Sequence, residues 1–153
     1  MKVIAICGLP GSGKSTANEA IKDLGIVIIM GDIIRNEAKK RNVEPTGDNL
    51  GKIAREIREI GGQDIIAKKC IDLMKKKSEE VVFIDGIRSI FEVNAFRKIW
   101  RFPILAIEIE EKKRSQRLFN RARSDDPKNL EDLRERDKRE IEFGLYEVLS
   151  KAD

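Results

Sequence analysis

Val3-Ile4-Ala5-Ile6-Cys7-Gly8-Leu9-Pro10-Gly11-Ser12-Gly13-Lys14-Ser15-Thr16 is the stretch that decides the fold of this chain. Its first five residues are all apolar, the pattern of a strand covered on both faces. Gly8 to Ser15 then fits G-x-x-x-x-G-K-[ST], and Lys14 to Leu24 reads as a helix ending at Gly25. A strand, a glycine turn and a helix in that order bring successive backbone N–H groups and the positive end of the helix to one point, where Lys14 adds an ammonium. Such a cradle holds phosphate. At average residue usage the four fixed positions coincide at roughly 4 in 100,000 starting points, so a chance turn is a poor explanation. The candidate phosphate-binding residues are Gly8, Gly11, Ser12, Gly13, Lys14, Ser15 and Thr16, and the Ser15 hydroxyl is a candidate ligand of Mg²⁺.

Outward from this segment the chain alternates apolar runs with helical patterns. Ile26 to Met30 reads as a second buried strand, with Gly31-Asp32 opening a helix that Asp32 would cap. Residues up to 77 read as helical, broken by the turn Glu44-Pro45-Thr46-Gly47 and by Gly61-Gly62. Leu50, Ile53, Ala54, Ile57 and Ile60 form one apolar stripe, and Ile66, Cys70, Leu73 and Met74 another. Val81 to Ile84 is the third buried run and Ile104 to Ile109 the fourth, each followed by a charged helix. This alternation predicts an α/β architecture, a parallel sheet with helices on both faces. Asp85 directly follows the third run, where a carboxylate can orient a water on a phosphate-bound metal.

Composition narrows the chemistry. The 153 residues contain no His, which excludes Ser-His-Asp and Cys-His nucleophile pairs and any His-bearing zinc site. Cys7 and Cys70 are too few for a four-thiolate site and read as reduced thiols. Lys plus Arg is 31 against 27 Asp plus Glu, a net charge of +4, so the basic excess is mild and no aromatic residues interleave the charge runs. The Lys75-Lys76-Lys77 and Glu110 to Arg114 blocks read as solvated helix ends, not as a nucleic-acid surface. No apolar run exceeds the five residues of Ile26 to Met30, far below the ~18 residues of a membrane span, and a cytoplasmic protein with no membrane partner is expected. Abundant charge beside two Gln residues, 63 and 116, fits a hot habitat.

Four segments in order resemble the nucleoside-monophosphate kinases, adenylate kinase and its relatives, and more closely an archaeal branch of P-loop proteins related to adenylate kinase and dephospho-CoA kinase. They are the phosphate loop, Gly31-Asp32-Ile33-Ile34-Arg35, Asp85-Gly86-Ile87-Arg88, and Arg123-Ser124-Asp125-Asp126 with Arg134 eleven residues after Arg123. The resemblance implies a single P-loop domain over residues 1–153, a three-layer α/β/α fold with strand order 2-3-1-4 and a final strand missing, residues 32–77 as a helical acceptor-binding insertion, and a very short lid. It implies an ATP-dependent kinase acting on a phosphorylated acceptor, foremost a nucleoside monophosphate. Arg35 and Arg88 would then clamp the acceptor phosphate. Ser15, Asp85 and Asp32 would organise Mg²⁺, the aspartate through water. Lys14, Arg121, Arg123 and Arg134 would neutralise charge on the transferring phosphoryl group. Dephospho-CoA or another metabolite is the alternative acceptor, and a regulatory P-loop ATPase the alternative class. Two positions depart from the adenylate kinase pattern. Met30 and Glu92 stand where adenine-holding Thr and Gln are expected, and Ser89 with Glu92 reads equally as an S-x-x-E capping box.

Overall fold

The computed structural model describes residues 1–153. Four parallel strands, β1 (Lys2–Cys7), β2 (Ile26–Ile29), β3 (Val81–Asp85) and β4 (Ile104–Ala106), form one sheet in the order β2-β3-β1-β4. The order is the one implied by the resemblance. Lys2 pairs with Val81 and Ile6 with Asp85, Ile26 with Val82, and Ala5 with Ile104. Because side chains alternate across a strand, Val3, Ala5, Cys7, Val82 and Ile84 point into the main core, while Ile6 and Phe83 are buried outside it. Helices cover both faces.

The helices are α1 (Lys14–Ile21), α2 (Met30–Lys40), α3 (Gly47–Gly61), α4 (Ile65–Met74), α5 (Ile90–Arg97), α6 (Glu111–Arg121), α7 (Leu130–Glu142) and α8 (Leu145–Leu149). Their ends follow local chemistry. Thr46, Ser89 and Asn129 each accept a hydrogen bond from the backbone N–H three residues on, capping α3, α5 and α7. Gly62, at φ 95°, stops α3.

Several sequence expectations need correction. α1 ends at Ile21, short of Leu24. β2 is an edge strand and only half-buried, and Met30 belongs to α2, fully buried. Ile29, not Asp32, is the cap position of α2, with Asp32 in its first turn. β4 ends at Ala106 rather than Ile109. Ile60 is 80% exposed and Leu73 43%, because the periodic stripe runs on past the ground its neighbours cover. Both thiols are buried and unpaired. Burial pushes Cys7 up to about 11 and Cys70 up to about 12.

Candidate nucleotide and acceptor site

At the C-terminal edge of the sheet, the loop after β1 turns into α1, and the adjoining ends of β2 and β3 open beside it, as expected for a ligand crevice in a parallel sheet. Two glycines are indispensable to that loop. A Cβ on Gly8 would overlap the carbonyl oxygen of Ile107 and sit 2.6 Å from Ser12 Oγ, and Gly13 caps α1 at φ 112°. Lys14 folds back over the loop, its Nζ donating to the carbonyls of Gly8 at 2.8 Å and Leu9 at 3.2 Å. Burial pulls its pKa below the ordinary lysine value, against the opposing attraction of Asp85 and Glu140.

The cleft holds about 510 Å³ and is lined chiefly by polar and charged groups. Gly8, Gly11, Gly13, Lys14, Ser15 and Thr16 form its cradle side. Ser12 is the exception: its side chain is buried and its hydroxyl has no partner. Around the cradle stand Arg35, Arg88, Arg117, Arg121, Arg123 and Arg136, against the carboxylates of Asp32, Asp85 and Glu140. A cleft so biased toward guanidinium forks is built to receive several phosphate groups.

Each arginine is presented differently. Arg35, on α2, bridges Asp32 and Asp125, at 2.8 Å each. Arg88 reaches from the loop after β3 and donates through Nε to Glu140 on α7. Arg121 grips Asp126 with both edges of its fork, whereas the Arg123 side chain has no partner. Burial alone would raise the Glu140 carboxyl, but Arg88 and Arg136 overcome it and hold Glu140 below the ordinary glutamate range. The carboxylates of α7 and the turn before it thus hold arginines in place that phosphate oxygens can take over.

Arg134 lies elsewhere. It is 65% exposed on its side chain and pairs with Glu111 across α6 and α7, outside the cleft; Arg136, two residues on, lines it. Nor is Arg114 a solvated helix-end residue: it is buried, forked onto Asp137 at 2.7 and 3.0 Å, and bonded to the Pro10 carbonyl. That contact ties α6 to the phosphate loop.

Asp85, 5% exposed, accepts a 2.6 Å hydrogen bond from Asn18 Nδ2 through one oxygen, while its other oxygen is buried without a partner. Asn18 Oδ1 is also buried and unpartnered. Two acceptors lacking donors beside the cradle fit the waters of a hydrated Mg²⁺. No group of three or more His, Cys, Asp or Glu side chains converges to hold a metal alone, so Ser15 and water-mediated Asp85 would share the ion with phosphate oxygens. Asn18, Arg117, Arg136 and Glu140 were not singled out from the sequence. Asn18 follows Lys14 by four, on one helical face, and that spacing is the signal that points to it; no sequence signal marks Arg117, and the unbroken charge of α7 hides Arg136 and Glu140.

Glu92 is a strut. It is fully buried, accepts from Arg58 at 2.8 Å and from the backbone N–H of Arg88 at 2.8 Å, and the Ser89 hydroxyl caps its own N–H. Arg58 in turn lies over the Phe143 ring, 4.2 Å from its centre. Met30, 1% exposed, is equally withdrawn. Neither lines the cleft.

Comparison with known proteins agrees with this fold. The family profile described as "AAA domain" matches residues 7–134. The chain is 48% identical over its full length to the UPF0200/UPF0201 protein of Archaeoglobus fulgidus, about half of whose length (49%) it spans. It is 45% identical to the UPF0200 protein of Methanoregula boonei and 38% identical to that of Hyperthermus butylicus, spanning 85% and 82% of those chains while 100% and 99% of this chain is covered. The crystal structure of TT1252 from Thermus thermophilus superimposes with a TM-score of 0.63 over 99% of this chain and 85% of that one, at 18% identity, a likeness of fold alone. With a phosphate loop, a 2-3-1-4 parallel sheet and relatives at 38–45% identity spanned over more than four-fifths of their length, the chain belongs to the archaeal UPF0200 family, on a P-loop kinase-like AAA domain.

Proposed function

We propose that the protein transfers the γ-phosphoryl group of ATP to the phosphate of a small phosphorylated acceptor. The observation that carries this reading is the pairing, in one cleft, of the phosphate cradle with Arg35 and Arg88. A nucleotide-hydrolysing switch has no use for a second set of phosphate forks in the same cleft.

In this reading the cradle N–H groups and Lys14 hold the β- and γ-phosphates, and Ser15 and, through water, Asp85 would hold Mg²⁺, which would supply further positive charge to them. Asp32 accepts from Arg35 and steadies that fork, and it lines the same cleft, where its carboxylate would also orient a water on the metal. Helices α2 to α4 carry the acceptor. An oxygen of the acceptor phosphate attacks the γ-phosphorus, the bond from that phosphorus to the β–γ bridging oxygen breaks, ADP leaves, and the acceptor gains a P–O–P anhydride. No general base is needed, since the attacking phosphate is already anionic. Arg121, Arg123 and Arg136 are the cations disposed to neutralise the group in flight, Arg136 in the part first given to Arg134. The resemblance favours a nucleoside monophosphate; the withdrawal of Met30 and Glu92 removes the adenine-holding groups from that picture.

Phosphorus NMR of products formed from ATP with nucleoside monophosphates, dephospho-CoA and simpler phosphate esters tests the reading, alongside Arg88→Lys. An ammonium cannot reproduce two parallel hydrogen bonds, so transfer should fall roughly tenfold or more while ATP affinity holds. Loss of ATP affinity in Arg88→Lys, with no phosphorylated compound ever binding the wild type, would make the protein an ATPase without a small acceptor.

A further inference from the structure

Adjoining the cleft, residues of α2, α3 and α7 line a second, half-open recess of about 50 Å³. It shares Arg35, Arg88, Arg136 and Glu140 with the cleft and adds Arg139. Asp125 and Glu140 are its carboxylates, and both are engaged: Asp125 with Arg35, Glu140 with Arg88. Arg139 has neither an ion pair nor a hydrogen bond. Its guanidinium lies against α3 at Gly51, where a methyl group would overlap Nη1 and stand 2.7 Å from Cζ; the glycine admits it. Burial lowers its pKa from the ordinary arginine value, and Arg136, Arg55 and Arg88 add to this against Glu140. An unpaired, half-buried guanidinium beside three others is a standing cost that an anion offsets.

The recess also limits what that anion can belong to. A water needs about 10–15 Å³ on this measure, so there is room for roughly four water-sized groups. That suits a carboxylate or a phosphate, not a purine. The one aromatic ring at the recess, Phe143, already has Arg58 on its face. We propose that the acceptor is a compact compound with two acidic groups: a phosphate held by Arg35 and Arg88, and a second acid, carboxylate or phosphate, held by Arg139, with no nucleobase in the recess. This rests on the reading of Arg35 and Arg88 as the acceptor's phosphate forks.

The test is calorimetric titration of the wild type, Arg139→Met and Arg139→Lys, with the cradle saturated by a non-hydrolysable ATP analogue. The probes are ethyl phosphate, phosphoglycolate, ethanediol bisphosphate and AMP, and melting curves establish that each variant is folded. One of the two diacids should bind the wild type about tenfold or more tighter than ethyl phosphate, and which one does so identifies the second acid. Arg139→Met should erase the advantage, Arg139→Lys should keep part of it, and ethyl phosphate should bind all three alike. AMP as the tightest probe, or an advantage undiminished in Arg139→Met, overturns the assignment of a second acid while leaving the acceptor reading in place. Binding of the ATP analogue with no binding of any phosphate ester overturns both.

Discussion

Replacing Glu92 with Ala separates a strut from a ligand-binding residue. The carboxylate is fully buried, 2.8 Å from an Arg58 guanidinium that is itself 3% exposed, and it also receives the Arg88 backbone N–H at 2.8 Å. Removing it strands a buried cation, which costs about 3–5 kcal/mol; the orphaned N–H belongs to the same network, so its cost is not added separately. At roughly 2–4 °C per kcal/mol for a chain of this size, the melting temperature should fall by about 6–20 °C. Thermal melts and urea unfolding read the change directly. The double variant Arg58→Met with Glu92→Leu should recover most of it, because replacing both partners leaves no uncompensated charge. A Glu92→Ala protein that melts within about 1 kcal/mol of wild type, yet loses affinity for phosphorylated acceptors, would refute the argument and make Glu92 part of the ligand site.

Lys14→Ala should abolish ATP-dependent phosphoryl transfer with little change in melting temperature, since Lys14 bonds only carbonyls of its own loop; turnover and a melt on the same sample check it. Asp85→Asn should weaken nucleotide binding in the presence of Mg²⁺ far more than in EDTA, and Asn18→Ala should do the same to a smaller degree; equal losses in both media would mean a purely structural pair. Glu140 is held below the ordinary glutamate value, so the unfolded chain takes up that proton first as pH falls. Its stabilisation is therefore complete above the ordinary value and disappears as pH drops through the depressed one; Glu140→Gln should flatten the acid side of a plot of urea midpoint against pH.

The sheet was legible because β1 and β3 are continuous apolar runs closed by glycine or aspartate. An apolar run does not, however, reveal how many neighbours it will have, which is why β2 reads as buried while lying at the edge. The cradle was legible because all its parts are adjacent in the chain. The arginine side of the cleft was only half so. From Arg134 to Glu140 every residue of α7 is charged, leaving no apolar stripe to set the helix's rotation, so spacing alone cannot separate the solvent-facing Arg134 from the cleft-facing Arg136. Partners such as Arg88 and Glu140, 52 residues apart, are joined only by the fold. Glu92 carries both a capping pattern and a family position, and its burial decides between them.

The two buried thiols make the native chain a ready host for spectroscopic probes. With Cys7 pushed up to about 11, only about one molecule in 10,000 carries the thiolate at neutral pH, and Cys70 is less reactive still. A cysteine introduced at an exposed position, such as Tyr146 in α8 or Ile60 near the end of α3, can thus be alkylated with maleimide in the otherwise wild-type sequence. Labels at both sites convert the spacing between α3 and α8 into a distance readable by energy transfer or paired electron spins, so that any movement of α8 and the adjoining end of α7 on nucleotide addition is followed in solution without removing a native cysteine.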